Sequence, residues 1–149
     1  MPLTPSLSGR VFPPVGPYLV GREKVREFAH TVSATHSIHH DVDAARAAGH
    51  PDVVAPPTFA AVVVDPAVGQ LLRSPDTGLD PTRVVHGSQS ARYHRHIVAG
   101  DELTTDLTVT AVTERGTHAI VTTSSEIRDR QGRRVATVTS TLFVRGADA

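Results

Sequence analysis

Between Ser33 and Asp41 the chain reads Ser-Ala-Thr-His-Ser-Ile-His-His-Asp, so His36, His39 and His40 put three of its nine histidines within five residues. Histidine has an ordinary pKa of ~6.5 and is largely neutral at cellular pH, so such a loop can supply a general base. A base alone is half of an acid–base pair. Three readings of the cluster stand side by side. The rings and their Ser and Thr neighbours can hydrogen-bond to backbone and water, as polar loop residues commonly do. His39 can act as a base whose acid comes from across a dimer interface. Or His36, His39 and His40 can chelate a metal, with no second cluster rich in Asp or Glu to join them. Elsewhere, His86 and the pair His94/His96 are expected on strand faces near a subunit contact. His94 and His96 flank Arg95 and would share one face of a strand.

The elements around the loop are legible from periodicity. Residues 1–20 hold Pro13-Pro14 and Pro17 and read as an extended lead-in with little helix. From Val20-Gly21 a helical pattern begins, with Val25, Phe28, Ala29 and Val32 forming one buried stripe among charged neighbours. After the loop, the acidic start at Asp41 and the glycine at Gly49 bracket a short helix. Residues 50–57 read as a loop, because neither Pro56 nor Pro57 has an N–H for a helix interior. The run Phe59-Ala60-Ala61-Val62-Val63-Val64 is apolar all round and implies an element buried on every side. Thr58 as an N-cap favours a helix there, and the three valines favour a strand. Helix is the preferred reading.

The second half changes period. Leu103, Thr105, Leu107, Val109 and Ala111 alternate with polar residues, as do Ala136, Val138, Ser140, Leu142 and Val144. Residues 118–129 are strand-like, and Arg130-Gln131-Gly132-Arg133 reads as a turn. Helices followed by long antiparallel strands indicate an α+β domain whose sheet wraps the apolar element starting at Thr58.

Composition excludes several classes. The 149 residues suit one domain, 1–149, with the lead-in at 1–20 and a tail at 146–149. Fifteen basic and 15 acidic residues give a formal net charge of zero, and hence no bulk reason to expect nucleic acid or an acidic membrane as partner. The absence of cysteine excludes disulfides, thiolate metal sites and a cysteine nucleophile. The first ten residues lack the apolar run of a signal peptide, and no segment reaches the ~18 apolar residues of a membrane span. A cytoplasmic protein is expected.

Several ordered stretches carry a family resemblance. They are Tyr18 to Ala29; Gly49 to Phe59; Arg83-Val84-Val85-His86-Gly87 with Gln89; Tyr93-His94-Arg95; and Ala99-Gly100-Asp101-Glu102-Leu103. Together with the histidine loop, the sequence resembles the MaoC-like (R)-specific hydratase/dehydratase family, single-hotdog type. Within it the nearest likeness is to the A-type, acyl-binding subunit of mycobacterial (3R)-hydroxyacyl-carrier-protein dehydratases. The family loop reads Asp-x-Asn-Pro-x-His-x-Asp. On that pattern His39 falls on the catalytic histidine, Asp41 on the trailing aspartate and Ala34 on the missing first aspartate.

The resemblance implies a hotdog fold, with an antiparallel sheet wrapped around a central helix and pairing into a double-hotdog dimer. It implies a hydro-lyase acting on acyl-carrier-protein or acyl-CoA thioesters, in fatty-acid or polyketide elongation, with no cofactor and no metal. Ala55, Thr58, Phe59, Val62, Val63 and His86 are the implied substrate-binding residues, with strand positions such as Leu142 completing a tunnel. Pro56-Pro57 stands where catalytic members have His-Gly, which leaves the Thr58 N–H as the nearest oxyanion donor. The expectation is a heterodimer with a subunit bearing the intact Asp/His loop. The alternative is a non-catalytic homodimeric thioester binder or scaffold.

Overall fold

The alternating stretches pair into one sheet, and the valine-rich run lies across it as a helix. The computed structural model describes residues 3–146. The first two residues and the last three of the expected tail lie outside the described residues. Strands β1 (Val15–Leu19), β2 (Val84–Tyr93), β3 (Glu102–Arg115), β4 (His118–Arg128) and β5 (Arg134–Val144) form a five-stranded antiparallel sheet. Its order is β1-β3-β4-β5-β2. Helices α1 (Arg22–Thr31), α2 (Val42–Ala47) and α3 (Ala60–Arg73) all fall between β1 and β2 in sequence. This is the α+β hotdog arrangement, with α3 as the central helix.

Helix α3 forms because its apolar residues recur at helical spacing. Ala60, Val63, Val64, Ala67 and Leu71 are buried, a stripe of three- and four-residue steps. Burial on every side, expected from the apolar run, does not occur: Ala61 and Val62 are only half-buried, and Asp65 and Pro66 face solvent. Pro66 sits inside the helix, on its exposed side. The helix divides the core in two. Its first half packs with Val25, Val53, Phe59, Ile97, Leu103, Ile127 and Val138. Its second half packs with Leu7, Phe12, Leu79, Leu107, Val121 and Leu142.

Several expectations give way to packing. The lead-in is part of the fold: β1 pairs with β3, and Leu7 and Phe12 enter the second core cluster. Val32 is exposed because α1 has already ended at Thr31. In β3 a bulge between Val109 and Ala111 shifts the register, so Ala111 faces out and Val112 packs inward. The N-cap position of α3 is held by Phe59 rather than Thr58, whose side chain makes no capping bond. Pro57 opens a 3₁₀ turn, Pro57–Phe59, where a residue without an N–H is tolerated because the first N–H groups have no helical partner.

The two edges of the sheet differ. Strand β1 is five residues long, contains Pro17 and is irregular against β3. These features blunt an edge. Strand β2 is ten residues long, pairs only with β5, and is exposed from Val85 to Arg92.

Candidate functional site

The histidine loop is held by the end of α1 on one side and the start of α2 on the other. Helix α1 closes in a Schellman motif: the Ser33 N–H donates to His30 O (3.2 Å) and the Ala34 N–H to Ala29 O (2.8 Å). Ser33 takes the left-handed position at φ 57°, which favours glycine. Ser37–His39 then form one 3₁₀ turn, with His36 Nδ1 accepting the Ile38 N–H at 3.2 Å. Asp41, expected as the trailing aspartate of a catalytic loop, is the N-cap of α2 and accepts from the N–H groups of Asp43 (2.8 Å) and Ala44 (3.3 Å).

Each histidine has a ring nitrogen committed to a different backbone group. His39 is 9% exposed, and its Nδ1 lies 2.6 Å from Val54 O. A carbonyl only accepts, so Nδ1 carries a proton, and in the neutral ring Nε2 holds the lone pair. His40 Nε2 donates to Ala34 O at 2.8 Å, and Arg26 Nε donates to His40 O at 2.8 Å. The ring centroids of His39 lie 6.3 Å from His36 and 6.5 Å from His40. With their nitrogens tied in different directions, the three rings do not converge on a common point. No group of three potential metal ligands exists among the described residues.

The acceptor of His39 is itself fixed. Val54 N–H donates to Ile38 O (2.9 Å), Ala55 N–H to Ile97 O (2.8 Å) and Ala99 N–H to Val53 O (3.0 Å). The guanidinium of Arg22 grips Asp52 through both carboxylate oxygens, at 2.8–3.2 Å, and holds that carboxyl below its usual pKa. The segment carrying Val54 is thus tied to α1, to the 3₁₀ turn and to residues 97–99. This is a second layer of contacts that sets the orientation of the His39 ring.

Ala34 is half-buried and lines a hollow of about 390 Å³ with His30, Ser33, Thr35 and His40. Its methyl group offers no proton chemistry, and the hollow has room for a carboxylate. The other end of the site is the start of α3. Pro57 and Thr58 are exposed there, and Pro57 has no N–H. The Tyr93 hydroxyl donates to Pro57 O, and burial pushes that hydroxyl's pKa up. Tyr93 belongs to the stretches that carry the family resemblance, which implied no role for it. A tyrosine closing the small and polar stretch from Gly87 to Arg92 was the available signal.

The expected substrate-binding residues separate into groups. Ala55, Phe59 and Val63 belong to the first core cluster, and Val62 packs half-buried against it. Phe59 is fully enclosed, edge-on to Phe28 (5.3 Å between centroids) and near Tyr18 (6.4 Å). It therefore forms a wall rather than a surface. Leu142 lies under the far half of α3. His86 is exposed on β2, opposite Leu142 and seven residues before Tyr93. At ~3.3 Å per residue it is roughly 23 Å along the strand from the Pro57 end. His94 and His96, expected on a strand, lie in the irregular segment after β2, where His96 stacks edge-on against His50. His96 borders a polar cleft of about 500 Å³ with His50, Arg95, Asp101, Asp129 and Arg133. The arginines there are spent on the aspartates, and the His39 ring is not part of it.

The family described as FAS1-like, dehydratase domain region, matches residues 6–138. A UPF0336 protein of Clavibacter michiganensis subsp. michiganensis is 59% identical over 149 residues, all of both chains. Among solved structures, a chain of the C-terminally truncated HadBC (3R-hydroxyacyl-ACP dehydratase) complex of Mycobacterium tuberculosis superposes with a TM-score of 0.81. It is 28% identical, over 92% of this chain and 96% of that one. A MaoC-like dehydratase superposes with a TM-score of 0.86 at 34% identity, over 96% of this chain but 43% of that larger one. Matched along most of its length by the family and along all of it by the curated relative, the chain belongs to the FAS1-like dehydratase-region family and has the single hotdog fold of the MaoC-like dehydratases.

Proposed function

We propose that the chain is the acyl-binding subunit of a (3R)-hydroxyacyl-thioester dehydratase, equally a trans-2-enoyl-thioester hydratase, completed by a partner hotdog subunit. The carrying observation is an oriented half-site. His39 has its Nδ1–H anchored on Val54 O and its Nε2 without a hydrogen bond among the described residues, while position 34 holds a methyl group. Dehydration needs both halves. Nε2 takes the C2 proton, the C2–H electron pair becomes the C2=C3 bond, and the C3 hydroxyl leaves as water with a proton from an acid. Hydration is the same path reversed. The thioester oxygen gains charge on the way, and the Thr58 N–H at the start of the helix is the donor that Pro57 leaves available.

The open β2 edge supports pairing. The open outer side of this ten-residue strand makes a template for a second sheet edge. Two-fold antiparallel pairing there sets the start of one β2 beside the end of the other. His86 of each subunit would then approach the Tyr93–Pro57 end of its neighbour, which no residue of the same protomer's β2 start can do. A HadBC complex among the superposed structures supports a pair of unlike chains. The second reading, a homodimeric binder without turnover, is favoured by Pro57, which deletes an N–H at the helix start.

Hydration of a trans-2-enoyl thioester tests the reading, with the chain alone, with an intact-loop partner, and as Ala34→Asp. For the wild-type chain, activity with the partner and none alone is the expected result. The hollow at Ala34 leads us to expect a gain in Ala34→Asp. No turnover in any of the three leaves the binder.

A further inference from the structure

Across the middle of the sheet, the outer face is covered by hydroxyls. Ser88, Thr141 and Thr122 stand in one rank, and Ser90, Thr139, Ser124 and Thr108 in the next. At the end formed by the start of β2 and the close of β5, the same face changes character. Val85, Phe143 and Ile120 stand opposite one another on three neighbouring strands, with Val85 64% and Phe143 47% exposed. Arg83, Arg115, His118 and Arg145 surround them, and the groove encloses about 330 Å³. No carboxylate lines it among the described residues, in a chain whose charges otherwise balance.

The patch is built rather than incidental. Gly87 has no side chain, and a Cβ there would meet the Phe143 ring at 2.1 Å, so the glycine lets the ring lie over the edge strand. Arg83 is braced by Asp80 (3.3 Å) and by Gly146 O (2.8 Å), while Arg115 and Arg145 pair with no carboxylate among the described residues. A run of exposed apolar side chains rimmed by charge marks an interaction surface. The sign of the rim selects the partner, since like charges across an interface are repelled and opposite ones steer it in.

We infer that this groove docks an acidic protein surface with an apolar side chain at its centre, and that the docked protein is the acyl carrier protein bearing the thioester. The second half rests on the function proposed above. Edge pairing through β2 would carry the groove of one subunit toward the Tyr93–Pro57 end of its neighbour, so the carrier would serve the site across the pair.

The probe is apo acyl carrier protein from the same organism, which lacks the phosphopantetheine arm and so cannot report on the acyl site. Titrated calorimetrically into the full chain, it is expected to bind, and added salt is expected to weaken the binding. The double variant Arg115→Glu/Arg145→Glu is expected to bind at least about tenfold more weakly, as is Phe143→Ser, with thermal unfolding confirming that each variant folds. Absence of binding to the wild type, or unchanged binding by both variants, overturns the inference. So does loss of self-association in the arginine variant, which assigns the groove to a second copy, or loss of binding to anionic vesicles without carrier binding, which assigns it to a lipid surface. Turnover of the CoA-linked enoyl thioester with the partner subunit reads the proposed function separately, because that substrate needs no carrier dock.

Discussion

His39→Asn separates anchoring from chemistry at one side chain. Asparagine's Nδ2 sits close to where histidine's Nδ1 does, so it can keep the bond to Val54 O, while the atom corresponding to Nε2 is gone. Val54 is buried at 2% exposure, so solvent has little access to replace His39 at its carbonyl. His39→Ala therefore strands a buried acceptor, at about 1–3 kcal/mol, and also empties the space of the ring. The sum for Ala is about 2–4 kcal/mol, whereas Asn forfeits only ring packing, about 1 kcal/mol. Urea unfolding of the two variants should accordingly differ by about 1–3 kcal/mol. If His39 is the base of the enzyme proposed above, both variants should lower turnover of the assembled pair by about 10²–10⁴-fold. Equal destabilisation of Asn and Ala would refute the tautomer argument. A stable Asn variant with full turnover would reduce His39 to a structural residue.

Three further substitutions probe the supports. Gly87→Ala puts a Cβ into the Phe143 ring and should cost about 1–2 kcal/mol in denaturant unfolding, less the part recovered as the exposed ring swings out. Ser33→Gly relieves a left-handed serine at the Schellman position and should raise stability by about 0.5–1 kcal/mol. Asp129 closes the β4–β5 turn, and although burial acts to raise its pKa, the N–H groups of Arg133 (2.9 Å) and Gln131 (3.0 Å) with Arg133 and Arg95 nearby leave it lowered. A depressed carboxyl means the unfolded chain binds more protons, so this stabilisation is present above about pH 4 and is lost as pH falls through the folded value. Asp129→Asn should flatten that part of an acid-unfolding profile, and an unchanged profile would show that the turn does not depend on the charge.

What the sequence revealed follows from the range of the forces involved. Period-two and three-four patterns are local, so β3, β4, β5 and α1 were readable residue by residue, and the turn at Gly132 with them. Strand β1 was not, because Pro17 and the prolines near it look like lead-in until β3 supplies the partner across more than 80 residues. The bulge after Val109 defeated simple alternation too, because one extra residue in β3 reverses the faces beyond it. At the site, residue types marked His39, but its tautomer comes from Val54 O and the Arg22–Asp52 clamp, contacts made 15 and 30 residues apart. His94 and His96 alternate like strand residues, yet their backbone bends to pack against His50 and to place Arg95 on Asp101.

Two features of this protomer are incomplete in ways that point to the same remedy. One is chemical: an oriented imidazole in a loop whose position 34 holds a methyl group, at a hollow lined by His30 and His40. The other is geometric: a ten-residue strand edge left open while the opposite edge is blunted by shortness and proline. Each alone has a local explanation, since buried histidines often serve structure and edges are sometimes tolerated. A partner that closed the β2 edge would also bring its own helix start and loop to the far end of the strand, because antiparallel pairing about a two-fold axis allows no other arrangement. If that partner carries the carboxylate, His39 and that acid together make one complete acid–base site from two subunits. Base and acid are then divided between unlike subunits, and the missing carboxylate at position 34 costs the pair no chemistry. The division makes a firm demand: substitution of the partner's carboxylate should abolish turnover even where His39 is intact.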